Sequence, residues 1–204
     1  MSSELKTNKI SPATGTALTL ADSGDTLTLP SGATLDIASG ATIDATGATV
    51  TGFGGNNSPA FEAYMSTTMS SVGHGVTTKV DFDTVIFETN TGDFDTTNNK
   101  WTVPSGEGGK YLVFYQVIPD GGAYSNLNYV STWIYKNGSA YMKTYDSWGN
   151  TYTRLHTVNL ITVMELSAAD YLEVYVQLNT ANGSAGTIPT SSPKIPHFGG
   201  FKLL

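Results

Sequence analysis

The first part of the chain alternates apolar and polar side chains in short units that nearly repeat. The units SGATLDIA and SGATIDAT follow one another directly, and GATVTG comes next. In the first unit Ala33, Leu35 and Ile37 alternate with Thr34 and Asp36, which is the two-residue period of a β-strand. A glycine recurs in each unit, where a turn is expected. The pattern predicts short strands, each with one thin apolar face.

Such strands bury too little surface to form a core within one chain. Several copies wound around a common axis would bury the apolar sides together and pair the strand edges between chains. The sequence therefore predicts a fibrous shaft with a core of Leu35, Ile37, Ile43 and Val50. A single-chain β-solenoid and a flexible linker rich in Gly, Ser and Thr are the alternatives. The repeats span little chain for a solenoid, and their regular alternation argues against a linker.

From residue 59 onward the pattern is one of short β-strands separated by turn signals, which favours an antiparallel sandwich. Residues 110–118 form a nearly continuous apolar run that predicts a central strand. The pair Asn137-Gly138 predicts a tight hairpin. Residues 155–166 and 171–178 predict two further strands, so the fold class expected is all-β.

Aromatic residues divide the chain into two parts. All 8 phenylalanines, 3 tryptophans and 11 tyrosines lie at or after Phe53. The following Gly, Asn and Pro residues favour turns and interrupt regular structure. We therefore predict a repetitive shaft segment at 1–52, a linker at 53–59 and a globular head at 60–204.

Charge and composition exclude several functions. Lys and Arg number 10 and Asp and Glu 17, so the net charge is −7, which disfavours nucleic acid as a partner. Cysteine is absent, which excludes disulfides and thiolate zinc sites.

The apolar run at 111–118 is far shorter than the roughly 20 residues that a membrane helix needs, so no membrane insertion is expected. The first residues also lack the pattern of a secretory peptide.

An ordered series of motifs gives the head its family resemblance. PAFEAY at 59–64 is followed by DFDTVIF at 81–87, KWTVP at 100–104, GKY at 109–111 and FGGFKLL at 198–204. Their order resembles the globular head of complement C1q, which shares its shape with the tumour-necrosis-factor superfamily. The resemblance implies a jelly roll that assembles as a homotrimer. It also implies a set of core or trimer-contact residues, namely Phe61, Phe82, Trp101, Tyr111, Phe114, Phe198 and Phe201.

The segment before the head changes the functional interpretation. A collagen stalk requires glycine at every third position, and this chain lacks that period. A repetitive β shaft carrying a trimeric jelly roll resembles bacteriophage fibre and appendage proteins. The resemblance implies a structural virion protein, made in the host cytoplasm and functioning outside the cell. Its expected partners are its own copies, other virion proteins through the N-terminal segment, and a host surface glycan or protein.

Two other functions remain open beside host attachment. The head could serve only as a trimerisation cap in a capsid or tail decoration protein, or the chain could be a secreted bacterial C1q-like binding module.

We expect no enzyme activity, because His74, His156 and His197 stand in neither a zinc-binding spacing nor a nucleophile elbow. No cofactor other than calcium is expected.

Calcium is considered because of Asp146. The segment YMKTYD that ends at Asp146 resembles a calcium-binding segment of the C1q family, but Arg154 stands near the expected partner aspartate. A bound calcium ion and an Asp146–Arg154 salt bridge are therefore alternatives. The pairs Asp81 with Asp83 and Asp93 with Asp95, spaced to share one strand face, are better explained as solvated faces and turn caps.

Five aromatic residues occur in segments rich in Gly, Ser and Asn, a composition typical of binding loops. We assign them as candidate ligand-binding loop residues: Tyr124, Tyr129, Tyr145, Trp148 and Tyr152. Burial in the sandwich or at a trimer axis is the alternative, because aromatic side chains usually pack in cores.

Overall fold

The computed structural model describes residues 26–42, 57–149, 151–190 and 194–203. The chain divides into two units, Met1–Thr51 and Gly52–Leu204, which we treat separately. In the described residues we find no helix with the length and hydropathy needed to cross a membrane.

The described part of the first unit contains two turns of the same geometry, one in each repeat. The amide of Ala33 donates to the carbonyl of Pro30 at 3.0 Å, and the amide of Ala41 donates to that of Ala38 at 3.0 Å. The third residue of each turn, Gly32 or Gly40, has φ of 85°, a value that L side chains disfavour. Glycine therefore recurs where the sequence pattern predicted a turn.

Between these turns the backbone of residues 26–42 forms no hydrogen-bonded strand within the chain. Leu35 and Ile37, two of the predicted shaft-core residues, are 62% and 42% exposed. Among the described residues of this unit, no other side chains bury these two apolar residues. Ile43 and Val50 lie outside the described residues, and the shaft itself stays a prediction.

The described residues of the second unit form thirteen strands and no helix. The strands are β1 (Ala60–Tyr64), β2 (Met69–Val72), β3 (Thr78–Lys79), β4 (Thr84–Glu88), β5 (Phe94–Asp95), β6 (Lys100–Thr102), β7 (Gly109–Val117), β8 (Leu127–Lys136), β9 (Ser139–Ser147), β10 (Val158–Leu166), β11 (Tyr171–Thr180), β12 (Gly186–Ile188) and β13 (His197–Lys202). All of their ladders are antiparallel.

Two main sheets make the sandwich. One has five strands in the order β10-β7-β13-β1-β4. The other has six strands, in which β5-β6-β11-β8-β9 form the main order and β3 pairs with β11. A short ladder of β12 and β2 lies apart from both sheets. The predicted central strand is β7, which lies between β10 and β13, and the two further predicted strands are β10 and β11.

The predicted hairpin joins β8 to β9. Asn137 and Gly138 at its tip have φ of 53° and 75°, the combination that a type I′ turn requires. This sequence signal therefore correctly located the connection between two neighbouring strands of the six-stranded sheet.

An aromatic cluster fills the space between the sheets. The ring of Phe61 stacks on Trp101 at a centroid distance of 4.4 Å and meets Phe198 edge-on at 5.0 Å. Five of the seven predicted core or trimer residues are fully buried here: Phe61, Phe82, Trp101, Tyr111 and Phe198. Phe114 and Phe201 are only half-buried, because they point out of the sandwich.

Candidate functional site

Two of the five predicted loop aromatics lie in strands instead. Tyr129 belongs to β8 and Tyr145 to β9, and their rings are 5.6 Å apart. The run from 127 to 147 contains enough Ser, Thr and Asn to suggest loops. Its outward positions alternate with buried ones, however, so a half-buried strand pair forms there.

The outer face of the six-stranded sheet carries these two tyrosines as part of a larger array. Trp133 of β8 lies directly opposite Lys143 of β9 and Tyr175 of β11. Residues directly opposite one another share a face of the sheet. The ring of Tyr135 stacks on that of Tyr175 at 4.0 Å. We call this surface the aromatic face and define it by Tyr129, Trp133, Tyr135, Lys143, Tyr145 and Tyr175.

Lysine side chains lie over the rings of this face. The Nζ of Lys143 is 5.1 Å from the ring centroid of Trp133 and 5.2 Å from that of Tyr145. Such placements are stabilised by the negative potential above an aromatic ring. Among the described residues, no carboxylate forms a salt bridge with Lys143.

Lys79, in contrast, is already neutralised. Its Nζ is 2.5 Å from an oxygen of Glu173, which is buried on β11. Burial alone would lower the pKa of Lys79, but the hydrogen bond and the negative charge of Glu173 raise it. Of these two lysines, Lys143 is therefore the one whose positive charge is available to a ligand.

A buried hydroxyl lies within the aromatic face. Ser131 lies on β8 directly opposite Tyr145 and Gln177, so it shares their side of the sheet. It is buried, and its Oγ lacks a hydrogen-bond partner among the described residues. A buried hydroxyl without a hydrogen-bond partner destabilises a fold, and such hydroxyls are rare in folded proteins.

The remaining three aromatics lie in connections between strands rather than on this face, and Trp148 packs partly against the core. Trp148 meets the imidazole of His156 edge-on at 4.8 Å. Tyr124 is 86% exposed in the connection from β7 to β8, and the guanidinium of Arg154 lies 5.5 Å from its ring centroid. Tyr152 is half-buried in the loop between β9 and β10. The structure therefore separates the five predicted residues into two groups.

The Asp146–Arg154 salt bridge, one of the two alternatives for Asp146, does not form. The Nε of Arg154 pairs with Oδ1 of Asp120 at 3.3 Å, and Asp146 lies 3.3 Å from Nε2 of His156. Asp120 is buried, and a buried carboxylate without a charged partner would destabilise the fold, so pairing with Arg154 is most favourable there. In the described ranges, no group of three His, Asp or Glu side chains is arranged to hold a metal ion.

The second unusual surface is the outer side of the five-stranded sheet. Ile161 and Val163 of β10 lie opposite Phe114 and Leu112 of β7, and Phe201 of β13 lies on the other side of Leu112. Ile161 is 72% exposed and Val163 is 54% exposed. We call this surface, defined by these five residues, the aliphatic face.

A glycine allows the aliphatic face to form. A Cβ added at Gly199 would lie 2.6 Å from Cζ of Phe114 and 2.9 Å from the carbonyl oxygen of Phe61. The ring of Phe114 therefore lies across β13 only because residue 199 has no side chain. This explains one glycine of the terminal FGGF motif.

The three histidines make local contacts. Nδ1 of His74 accepts a hydrogen bond from the amide of Thr180 at 3.1 Å. Nδ1 of His197 is 3.1 Å from Oε1 of Glu62, at the edge of the aliphatic face.

Two of the paired aspartates accept hydrogen bonds from backbone amides. Asp95 caps a turn by accepting from the Thr97 and Asn98 amides, and Asp83 accepts from the amide of Ser66.

Comparison with known proteins gives matches in structure only. No protein-family model and no curated protein matches the chain. The globular domain of zebrafish complement 1qA protein aligns over 72% of this chain and 98% of its own, with 15% identity and a TM-score of 0.46. Murine APRIL aligns over 71% of this chain and 98% of its own, with 14% identity and a TM-score of 0.51.

At these identities a structural match shows the fold alone, since one fold supports many functions. The prediction of an all-β antiparallel jelly roll is confirmed by the sheet order and by the similarity to APRIL. The second unit is therefore a jelly-roll sandwich, the fold of APRIL.

Proposed function

We propose that this protein is a homotrimeric, non-enzymatic attachment protein of a virion, whose jelly-roll head binds a ligand on the host surface. The observation that carries the proposal is that both outer faces of the sandwich bear large apolar or aromatic side chains. A monomer in water normally places polar residues on such faces. In this proposal, one face assembles the protein and the other binds the ligand.

The aliphatic face is the assembly surface. Ile161 and Val163 are mostly exposed, and neighbouring strands extend the apolar area with Leu112, Phe114 and Phe201. Burying apolar surface contributes roughly 25 cal/mol per Å², so covering this face with further copies stabilises an oligomer. The sequence resemblance to C1q heads supports three copies.

The first unit supports the same assembly. Its two matched turns place the apolar residues of successive repeats in equivalent positions, and Leu35 and Ile37 are exposed. Three chains wound together would cover them, as a fibre shaft requires. This shaft would space the heads from the virion and attach them to other virion proteins.

A non-enzymatic role agrees with the contacts of the histidines. His74 is occupied by the backbone of Thr180, and His156 and His197 pair with the carboxylates of Asp146 and Glu62. Each imidazole has a structural partner of its own. Attachment would instead gain strength from three heads on one particle.

Native mass by light scattering tests the assembly. We expect the full-length protein to have a mass near three times the 21.6 kDa of one chain. Ile161→Asp should shift the mass to that of the monomer, because it places a charge in the buried face. Leu155→Asp, which adds the same charge at an exposed apolar loop position, is the matched control and should leave the trimer intact. A monomeric wild-type protein overturns the proposal.

Binding to intact host cells tests the attachment role. We expect the purified trimer to bind the cells and to compete with virions for attachment. The decoration hypothesis makes the opposite prediction: a virion whose head is replaced by a foreign trimerisation domain remains infectious. The secreted-module hypothesis is favoured if the protein occurs in culture medium without particles.

A further inference from the structure

The aromatic face combines three kinds of group in one flat array. Trp133, Tyr145 and Tyr175 come from three neighbouring strands, which lie about 4.8 Å apart in a sheet. Gln177 and Ser131 supply an amide and a hydroxyl on the same side of the sheet. Lys143 adds a positive charge between two of the rings.

This combination matches the chemistry of a sugar ring. A pyranose has an apolar side formed by C–H groups and a rim of hydroxyls, so it stacks on an aromatic ring and hydrogen-bonds to amides around it. Trp133 and Tyr145 are suited to the stacking, because Tyr145 is exposed, Trp133 is half-buried, and the ammonium group of Lys143 lies near both rings. Gln177 lies at the edge of this pair, although its amide nitrogen already donates to the carbonyl of Gly75.

The charge of Lys143 points to an acidic sugar. Lys143 is exposed on β9 and lies over two rings, so its ammonium group is accessible and can form a charged hydrogen bond to a carboxylate. The molecule as a whole carries a net charge of −7, but among the described residues no carboxylate forms a salt bridge with Lys143, so its charge is available to a ligand. Lys79 is already paired with Glu173.

The unpaired hydroxyl of Ser131 is a second, independent indication. It is buried within the same face, opposite Tyr145, and stabilises nothing in the described structure. Unsatisfied buried groups of this kind are concentrated where function rather than stability determines the residue. If Tyr145 shifts when a ligand stacks on it, Ser131 becomes available to a ligand hydroxyl.

We propose that the aromatic face binds a carbohydrate bearing a carboxylate or sulfate group, with Trp133 and Tyr145 stacking on the sugar rings and Lys143 pairing with the acidic group. This inference rests on the ligand-binding part of the proposed function and names its ligand class. The aliphatic face lies on the opposite side of the sandwich. Assembly and glycan binding are therefore compatible within one head.

The test uses the full-length protein and immobilised oligosaccharides in pairs of an acidic sugar and a neutral one. Suitable pairs are sialyllactose with lactose, which differ by one sialic acid residue, and trigalacturonate with galactotriose, which differ by three carboxylates. We expect the wild-type protein to bind an acidic member more tightly than its neutral partner. Trp133→Ala should abolish binding to both, because it removes the stacking platform.

Lys143→Gln should weaken binding of the acidic member about tenfold, the loss of one charged hydrogen bond, and change the neutral member little. Lys100→Gln is the matched control, because Lys100 also lies over a tyrosine, Tyr171, at 4.8 Å but outside the aromatic face. Native mass and circular dichroism should be unchanged in all three variants. An equal loss for acidic and neutral sugars overturns the role of Lys143.

Failure of this inference is distinguishable from failure of the proposed function. If the trimer binds host cells but none of the sugars, and Trp133→Ala abolishes that cell binding, the face recognises a protein and the carbohydrate assignment is wrong. Preferential binding to a single-stranded DNA probe also overturns it. If Trp133→Ala leaves cell binding intact, the aromatic face is not the attachment site.

Discussion

The two outer faces of one sandwich differ in the kind of apolar group that they expose. The aliphatic face is built from branched side chains and two phenylalanines, with Ile161 and Val163 most exposed. The aromatic face is built from Tyr and Trp rings separated by amides, hydroxyls and lysine amines. Both faces arise from the same alternation of side chains along antiparallel strands.

In the proposed function, this chemical difference assigns assembly to the aliphatic face and recognition to the aromatic face. Branched aliphatic groups have no polar atoms to satisfy, so they suit a permanently covered interface. Tyrosine and tryptophan carry a polar group at the ring edge, so they tolerate both water and a ligand. The core between the sheets holds both faces in position. Substitutions in the core should therefore affect both faces, whereas substitutions on one face should affect only that face.

The largest loss of stability is expected for Phe198→Ala, which removes one ring of the aromatic core between the two sheets. The ring of Phe198 lies 5.0 Å from Phe61 and 5.6 Å from Phe82. We expect a loss of about 3–5 kcal/mol in the free energy of unfolding, since a cavity is left in the core. Chemical denaturation measures it. Tyr124→Ala, at an exposed loop position, is the control, and an equal effect of both would contradict this account of the core.

A smaller effect confined to one face is expected for Gly199→Ala. The added methyl group would displace the ring of Phe114 and press on the backbone of Phe61, at a cost of about 1–3 kcal/mol. The trimer should dissociate at higher protein concentration than the wild type, while binding through the aromatic face is retained. Light scattering over a dilution series measures this. Ala123→Val, in an exposed loop, is the control for added volume.

The two sides of β8 offer a sharper comparison, because neighbouring hydroxyls have opposite environments. Thr132 points into the core, where its Oγ1 is 2.5 Å from both the Tyr115 hydroxyl and Thr144 Oγ1. Ser131 faces outward without a partner among the described residues. Thr132→Val should cost about 1–3 kcal/mol, because it removes the hydroxyl that hydrogen-bonds to both Tyr115 and Thr144 in the core.

Ser131→Ala should be neutral or stabilising by about 0.5 kcal/mol, because it removes an unsatisfied group. It should also weaken ligand binding, which Thr132→Val should leave unchanged. Each variant is the control for the other. Equal destabilisation by both would mean that Ser131 has a structural partner in solution, and the distinction between the two sides of β8 would fail.

The sequence allowed the fold to be predicted well, because its signals are local. The apolar run at 110–118, the Asn137-Gly138 turn and the terminal FGGF motif correspond to β7, the β8–β9 hairpin and β13. The two faces could not be found in the same way. Strand order brings Tyr175 of β11 beside Trp133 and Lys143 of the β8–β9 hairpin, although Tyr175 lies far from both in the chain.

One local signal could have located part of the aromatic face. Alternate positions 129, 131, 133 and 135 are Tyr, Ser, Trp and Tyr, and the positions between them include Val130 and Ile134. That alternation is typical of a strand with one aromatic side. The partner of Arg154 had no such signal, because Asp120 is brought to it only by the folded loops.

The last effect depends on pH and is expected at Asp170, in the connection between the two sheets. Asp170 follows β10, and its carboxylate accepts hydrogen bonds from the Ser167 amide and Asn137 and pairs with Lys136 at 2.8 Å. Burial alone would raise the pKa of Asp170, but these contacts lower it to about 2. Because the folded-state pKa lies below the ordinary value of about 4, the charged form stabilises the fold above pH 4, and this contribution is lost as the pH falls toward 2.

Asp170→Asn should therefore lower the melting temperature by a few degrees at pH 7, and the difference from the wild type should shrink steadily between pH 4 and pH 2. Glu165→Gln, at an exposed position of the neighbouring strand β10, removes the same charge without these contacts and is the control. A difference that stays constant between pH 7 and pH 2 would mean that Asp170 acts through its shape rather than its charge. The two sheets, and with them the two faces, would then be joined by the buried aromatic core rather than by this ion pair.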